Sequence, residues 1–303
     1  MKKTTMLRKL ISSDKLIQVI GANDGLTAIL TEKNGFDALW ASGLAISTSA
    51  GVPDASILTM TEFLNAASYM NKASNLPVIA DCDTGFGGVN NIIRMVSEYE
   101  AAGIAGVCIE DKNFPKRNSF LEGHELADMH EFSAKIRLAK SAQKDPDFVV
   151  IARLESLIAG KGLDDAMNRA IAYSEAGADL ILVHSKSKSA DEIIMFAHEW
   201  KKKGISTPLV VVPTTYYSIN KEQLEGIGIK MVIYANQLLR SAVPAMNDAL
   251  KTLYEAGTTA PLEEKMSSVK EVFSIVKTEE LDTVEDLYSK YIQNHREYRT
   301  TIV

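Results

Sequence analysis

Eight short apolar runs, each followed by turn residues and separated from the next by a helix-period segment, constrain this chain more than any other feature. The runs fall at about 16–20, 37–41, 77–81, 105–110, 148–153, 179–184, 208–213 and 230–235. They are rich in Val, Ile, Leu and Ala and show almost no polar alternation, the pattern of parallel strands covered on both faces. Helical patterns lie between them at 24–34, 59–73, 90–102, 131–143, 163–176, 189–203 and 220–226. Several end in a small residue and glycine, as at Ala102-Gly103 and Ala176-Gly177, where glycine suits a left-handed C-cap. Strands alternating with helices imply a parallel sheet, either an open doubly wound one or a closed barrel. The count of eight favours a (β/α)8 TIM-type barrel. No G-x-G-x-x-G follows the first run, where a dinucleotide-binding sheet would carry one.

The chain has 303 residues, more than such a barrel of about 250 needs. We assign 1–256 to the barrel and 257–303 to a helical extension, with helical patterns near 242–256, 263–277 and 281–293. The extension is expected to dock on, or exchange with, a neighbouring subunit. The formal charge is −6 and neither sign forms a long run, which argues against a nucleic-acid partner. Cys82 and Cys108 each sit in an apolar run and read as packing residues of a protein from a reducing compartment. The basic first residues lack the apolar core of a signal peptide, and no stretch reaches membrane-spanning length. A cytoplasmic protein without a membrane partner is expected.

Chemistry in a (β/α)8 barrel sits at the C-terminal strand ends. Those ends carry Trp40 and Ser42, Asp81 and Asp83, Glu110, Arg153 and Glu155, His184 and Ser185, Thr214 and Thr215, and Asn236. Any one of them could be merely solvated. Together they would converge on one mouth. In Asp81-Cys82-Asp83-Thr84-Gly85-Phe86-Gly87, strand alternation sends both carboxylates one way and Cys82 the other. Adjacent carboxylates repel unless a cation or proton lies between them, and oxygen ligands with retained waters suit Mg²⁺. Glu110 is a third candidate ligand. The alternative is that the two aspartates cap the glycine turn and the helix after it.

The polar stretch of about twenty residues that begins at Glu110 has the length of a lid. Lys112, Lys116 and Arg117 there suit an anion, or else form a solvated loop. Ser42, Gly43 and Leu44 could offer backbone N–H groups to an anion, as glycine-containing turns do. Asp54, after Pro53, would alone be an ordinary turn aspartate.

Taken together, WASGL (40–44), the Asp54 loop, DCDTGFG (81–87), EDKNFPKRNS (110–119), ARLES (152–156) and VHS (183–185) resemble the isocitrate lyase/phosphoenolpyruvate mutase superfamily, and most its mutase branch. The resemblance covers about 15–255. The superfamily's lyases carry a catalytic cysteine in a KKCGH-like lid motif that this chain lacks, and Asn118 separates it from the related phosphonopyruvate hydrolases. The resemblance implies an isomerase that moves the phosphoryl group of phosphoenolpyruvate from oxygen to C3, forming the C–P bond of phosphonopyruvate for phosphonate biosynthesis. It implies Mg²⁺ bound by Asp81, with Asp83 and Glu110 mostly through water. Ser42, Gly43 and Leu44 would donate to the enolate, Trp40 would wall the pyruvyl face, and Arg153, His184, Asn118 and Ser119 would hold the phosphoryl oxygens. Lys116 would neutralise substrate charge. Asp54 would either accept the phosphoryl group or orient it in transit. A homodimer or homotetramer is implied. The competing readings are phosphonopyruvate hydrolase, a lyase or hydrolase of a 2-hydroxy or 2-oxo diacid, and a barrel that has lost catalysis.

Overall fold

The computed structural model describes residues 1–300. Eight parallel strands close in sequence order into a barrel. They are β1 (Ile17–Ala22), β2 (Ala38–Ala41), β3 (Val78–Asp81), β4 (Gly106–Glu110), β5 (Val149–Leu154), β6 (Leu180–Val183), β7 (Leu209–Val211) and β8 (Ile229–Tyr234). Closure is made by β1 against β8, with Ile17 opposite Met231 and Ile20 opposite Tyr234. All eight sequence-derived strands are present.

The strand pleat divides the apolar residues into two layers. On β4, Cys108 points into the barrel with Val19, Ile79, Ile151, Leu182, Val210 and Ile233. Its neighbours Val107 and Ile109 point outward, against Met95, Tyr99 and Phe132 of the helix ring. This explains the unbroken apolar runs, because both faces of every strand are covered.

The ring is formed by α2 (Gly25–Lys33), α4 (Met60–Ala73), α5 (Val89–Ala101), α6 (Met129–Ala142), α7 (Gly162–Glu175), α8 (Asp191–Lys202) and α9 (Lys221–Gly226). Two further helices lie outside the sequence expectation. The first, α1 (Lys3–Ser12), sends Leu7 into the inner barrel layer, and Arg8 bonds the carbonyls of Asp147 and Phe148 just before β5. The second, α3 (Gly43–Ser49), begins directly after β2 and is capped by the Ser42 hydroxyl.

The chain separates into two compact units, one of residues 1–241 and a second beginning at Ala242. The second holds most of α10 (Gln237–Ala256), α11 (Val269–Ile275) and α12 (Glu280–Thr300). Among its described residues Leu262 alone is buried, while Met246, Leu250, Leu253 and Tyr254 recur at helical spacing on α10 and are exposed.

Candidate active site

The C-terminal end of the barrel gathers the residues singled out in the sequence. Asp81 ends β3, Glu110 ends β4, Arg153 is the penultimate residue of β5, and His184 directly follows β6. One cavity is lined by Trp40, Ser42, Leu44, Asp54, Asp81, Glu110, Lys116, Asn118, Ser119, Arg153 and His184. Gly43 and Asp83 stand just behind its wall. A Cβ added to Gly43 would lie 3.1 Å from Asp81 Oδ2, so glycine there allows α3 to start against the carboxylate. Ser42, Gly43 and Leu44 therefore do not form a free turn. They open a helix whose first amides have no intrahelical acceptor, with Ser42 Oγ accepting from the Ala45 amide at 3.3 Å.

Asp83 reaches the mouth by a different route from the alternation expected of a strand. β3 stops at Asp81, and Asp83 has φ +50° in a turn that also holds Gly85, Phe86 and Gly87 at positive φ. At Gly85 the turn tolerates no side chain, since a Cβ would come within 2.0 Å of Ile92 Cδ1. Neither aspartate caps the next helix, whose N-cap is Gly88. Asp83 instead accepts from the Ser56 hydroxyl at 3.1 Å and pairs with Lys116 Nζ at 2.7 Å.

Lys116 comes from the lid, the loop between β4 and α6. The lid is narrow at its base. Lys112 bridges Leu126, the Asn113 amide donates to Glu125 O at 3.1 Å, and the Ala127 amide donates to Asp111 O at 2.8 Å. Asp111 is itself clamped by the Tyr173 hydroxyl at 2.6 Å and Arg169 at 3.2 Å. From this neck the tip folds over the mouth. Lys116 Nζ lies 2.8 Å from Asp54 Oδ1, and Asn118 Nδ2 donates to Asp54 Oδ2 at 2.9 Å. Phe120 sets its ring edge-on to His184.

Electrostatics follow burial and pairing. Burial raises the Asp81 carboxyl despite Lys116 and Arg153, and it raises Asp83 to about 6. Burial opposes the charge on Lys116, yet Asp83, Asp81, Glu110 and Asp54 hold its ammonium well above the ordinary range. Both Glu110 oxygens are buried without a hydrogen bond, although Lys112 and Arg153 lie within ion-pair distance at 3.5 and 3.3 Å. An acceptor left open in this way, beside two carboxylates whose charge is costly, suits a divalent cation. Among the described residues no three acidic, His or Cys groups converge on one point. A small number of direct ligands is the coordination that Mg²⁺ favours when it keeps its waters.

Two charged residues matter more than the sequence suggested. Glu155, just beyond β5, is fully buried and touches Arg153, His184, Lys112 and Ser119. Despite burial, Arg153, His184 and Lys112 hold its carboxyl well below the ordinary range. Lys112, read as one of several lid cations, is buried at the neck and donates to Ser119 Oγ at 2.6 Å. The signal for Glu155 was its place two residues after Arg153 on the same strand end, which returns its side chain to the same side.

A (β/α)8 barrel with carboxylates on one side of its mouth, cations and an imidazole on the other, and a basic lid above is built for a small anionic substrate. The chain belongs to the phosphoenolpyruvate phosphomutase family, whose model matches residues 7–254. It is 42% identical over 289 residues to a phosphoenolpyruvate phosphomutase from Tetrahymena pyriformis, covering 95% of both chains. It resembles the crystal structure of phosphoenolpyruvate phosphomutase from Streptomyces platensis subsp. rosaceus with a TM-score of 0.92 and 46% identity, over 94% of this chain and 99% of that one. A phosphonopyruvate hydrolase solved in complex with oxalate and Mg²⁺ is also similar, with a TM-score of 0.89 and 39% identity over 95% and 99% of the two chains.

Proposed function

We propose that this chain is an isomerase that interconverts phosphoenolpyruvate and phosphonopyruvate. The P–O bond to C2 breaks, a P–C bond to C3 forms, and no other atom is gained or lost. The observation that carries the reading is the closure of Lys116 and Asn118 together on Asp54. It sets a carboxylate, an ammonium and an amide at one place beneath a lid, where a phosphoryl group can cross between two atoms of an enolate.

Asp81, with Asp83 and Glu110 largely through water, would hold Mg²⁺. When bound, the ion supplies positive charge to the pyruvyl oxygens and stabilises the enolate. The first amides of α3 add donors beside it, and Trp40 walls the pyruvyl face. Arg153 would donate to the phosphoryl oxygens, with His184 and Ser119, whose hydroxyl donates to Glu155, beside them. Asn118 and Lys116 steady Asp54 against the group in transit. A nearly free phosphoryl group is open to attack by water, and the lid with Phe120 excludes it. The same arrangement with a wetter mouth would yield pyruvate and phosphate. ³¹P NMR of the protein with Mg²⁺ and phosphonopyruvate separates the two: a phosphoenolpyruvate signal is expected, and inorganic phosphate as the main product would replace this reading with a hydrolase.

A C–P product would suit an enzyme at the entry to phosphonate biosynthesis. The extension at 257–303, together with the apolar stripe of α10, would serve a homodimer or homotetramer. Exposed Val272, Phe273, Leu281, Val284 and Leu287 support this. A monomeric mass by light scattering at micromolar concentration would refute it. Both cysteines are free and buried, which supports an enzyme of a reducing, cytoplasmic compartment; among the described residues no helix is long and apolar enough to cross a membrane.

A further inference from the structure

Glu155 uses all of its acceptor capacity. Oε1 faces Arg153 Nε at 2.5 Å and His184 Nδ1 at 2.8 Å, while Oε2 faces Ser119 Oγ at 2.8 Å and Lys112 Nζ at 3.1 Å. The four approaches match the roughly four lone-pair sites of a carboxylate. His184 Nδ1 has a second neighbour, Arg153 Nη2 at 2.9 Å. The two contacts demand opposite tautomers. A bare Nδ1 would accept from the arginine but would set its lone pair against a carboxylate oxygen. A protonated Nδ1 donates to that oxygen, and Nη2 still has Ser119 Oγ at 2.9 Å and Glu110 Oε2 at 3.3 Å. Either contact would be charge-assisted, but only the protonated Nδ1 keeps a lone pair from facing the carboxylate, and it leaves the arginine with other acceptors.

We infer that Glu155 is a positioning residue that fixes the His184 proton on Nδ1, so that Nε2 meets the mouth of the site with its lone pair. Among the described residues Nε2 makes no hydrogen bond to protein, and His184 lines the cavity. Under the phosphoryl-transfer reading, on which this step rests, Nε2 can donate to an incoming phosphoryl oxygen only after taking a proton from solvent. Glu155 then faces the resulting imidazolium. The groups around the ring are Glu155 and Arg153 at the end of β5 and Lys112 and Phe120 from the lid. Burial first, then Arg153 and Lys112, lowers the His184 pKa, and Glu155 raises it. The lid completes the arrangement, because Lys112 and Ser119 occupy the other oxygen and hold the carboxylate in place.

The test is ¹⁵N NMR of protein labelled at its five histidines, with the His184 signals assigned by their loss in His184→Asn. The neutral wild-type ring is expected to carry its proton on Nδ1. An Nε2–H ring overturns the inference, and this measurement needs no Glu155 variant to fold. In Glu155→Gln the proton is expected to move to Nε2. A neutral ring can then donate from Nε2, so the alkaline limb that the imidazolium sets in the wild-type kcat–pH profile should move to higher pH by about one unit or more. A variant that loses activity with an unmoved limb reduces Glu155 to a structural role and overturns the inference. Release of phosphate by the wild type in the ³¹P assay would overturn the mutase reading and leave the tautomer assignment standing.

Discussion

The two sides of the barrel mouth solve the problem of buried charge in opposite ways. On the β3–β4 side, one inserted cation, Lys116, pairs with Asp54 and Asp83 in the field of Asp81 and Glu110, and burial raises the Asp81 and Asp83 carboxyls. On the β5–β6 side, Arg153, Lys112 and His184 surround Glu155, and every oxygen of that carboxylate is taken. The first side has acceptors to spare, as both Glu110 oxygens show. The second is dominated by the positive charge of Arg153 and Lys112. A molecule with a metal-binding enolate at one end and a phosphoryl group at the other fits across that polarity in one direction only. The mouth therefore orients its substrate before any side chain acts on it.

Removing charge from each side in turn should break this polarity to different extents. Asp81→Ala is expected to cost the most, about a thousandfold or more in kcat, because it removes the proposed direct ligand and with it several kcal/mol of charge stabilisation. Mg²⁺ titration should show weaker binding than in Asp83→Ala, and full activity in EDTA would break the comparison at its acidic side. Arg153→Ala should lose about a hundredfold in kcat, the usual cost of one donor aimed at developing charge. Its binding of oxalate, which lacks a phosphoryl group, should change little. If calorimetry finds that oxalate binding collapses in this variant, the two sides are not separate.

Asn118→Ala should slow rearrangement about tenfold, consistent with one lost hydrogen bond to a charged group. A trace of phosphate in the ³¹P spectrum is the expected sign of water entering. Unchanged turnover would remove Asn118 from the site. The smallest effect is expected at the neck of the lid. Tyr173→Phe removes one donor to Asp111 and should lower stability by about 1 kcal/mol in a urea melt. Its kcat should stay within about twofold, since the Asp111 clamp also has Arg169.

The barrel was legible because both faces of each strand are buried, which turns eight strands into eight uninterrupted apolar runs. The helices that escaped notice are those with no such pattern. α3 reads GLAISTS, small and polar residues without an amphipathic stripe, and α1 buries only Thr4 and Leu7. Within the site, Asp81, Glu110, Arg153 and His184 could be found from position alone, because a polar residue ending an apolar strand must face the mouth. Asp54, Lys116 and Asn118 could not. Lys116 stood among three lid cations that suit an anion, but nothing local distinguishes Asp54 and Asn118 from solvated loop residues, and only the resemblance singled those two out. Glu155 was visible as a strand-end acid, but its role depends on partners from β6 and the lid, which lie 29 residues after it and 36 before it in the chain.

The narrow neck of the lid bears on how such an enzyme can change over evolutionary time. Because Asp111 and Lys112 are tied to Ala127 and Leu126, the tip between Asn113 and Glu125 is a self-contained insert whose ends stay together whatever it contains. Substitutions in the tip replace Lys116, Asn118, Ser119 and Phe120 as a set while the backbone of the barrel's strand ends stays in place. New chemistry can thus be tried at the mouth with the barrel backbone unchanged, because the cassette proposed to meet the substrate and the scaffold proposed to hold the metal are joined along the chain only at this neck.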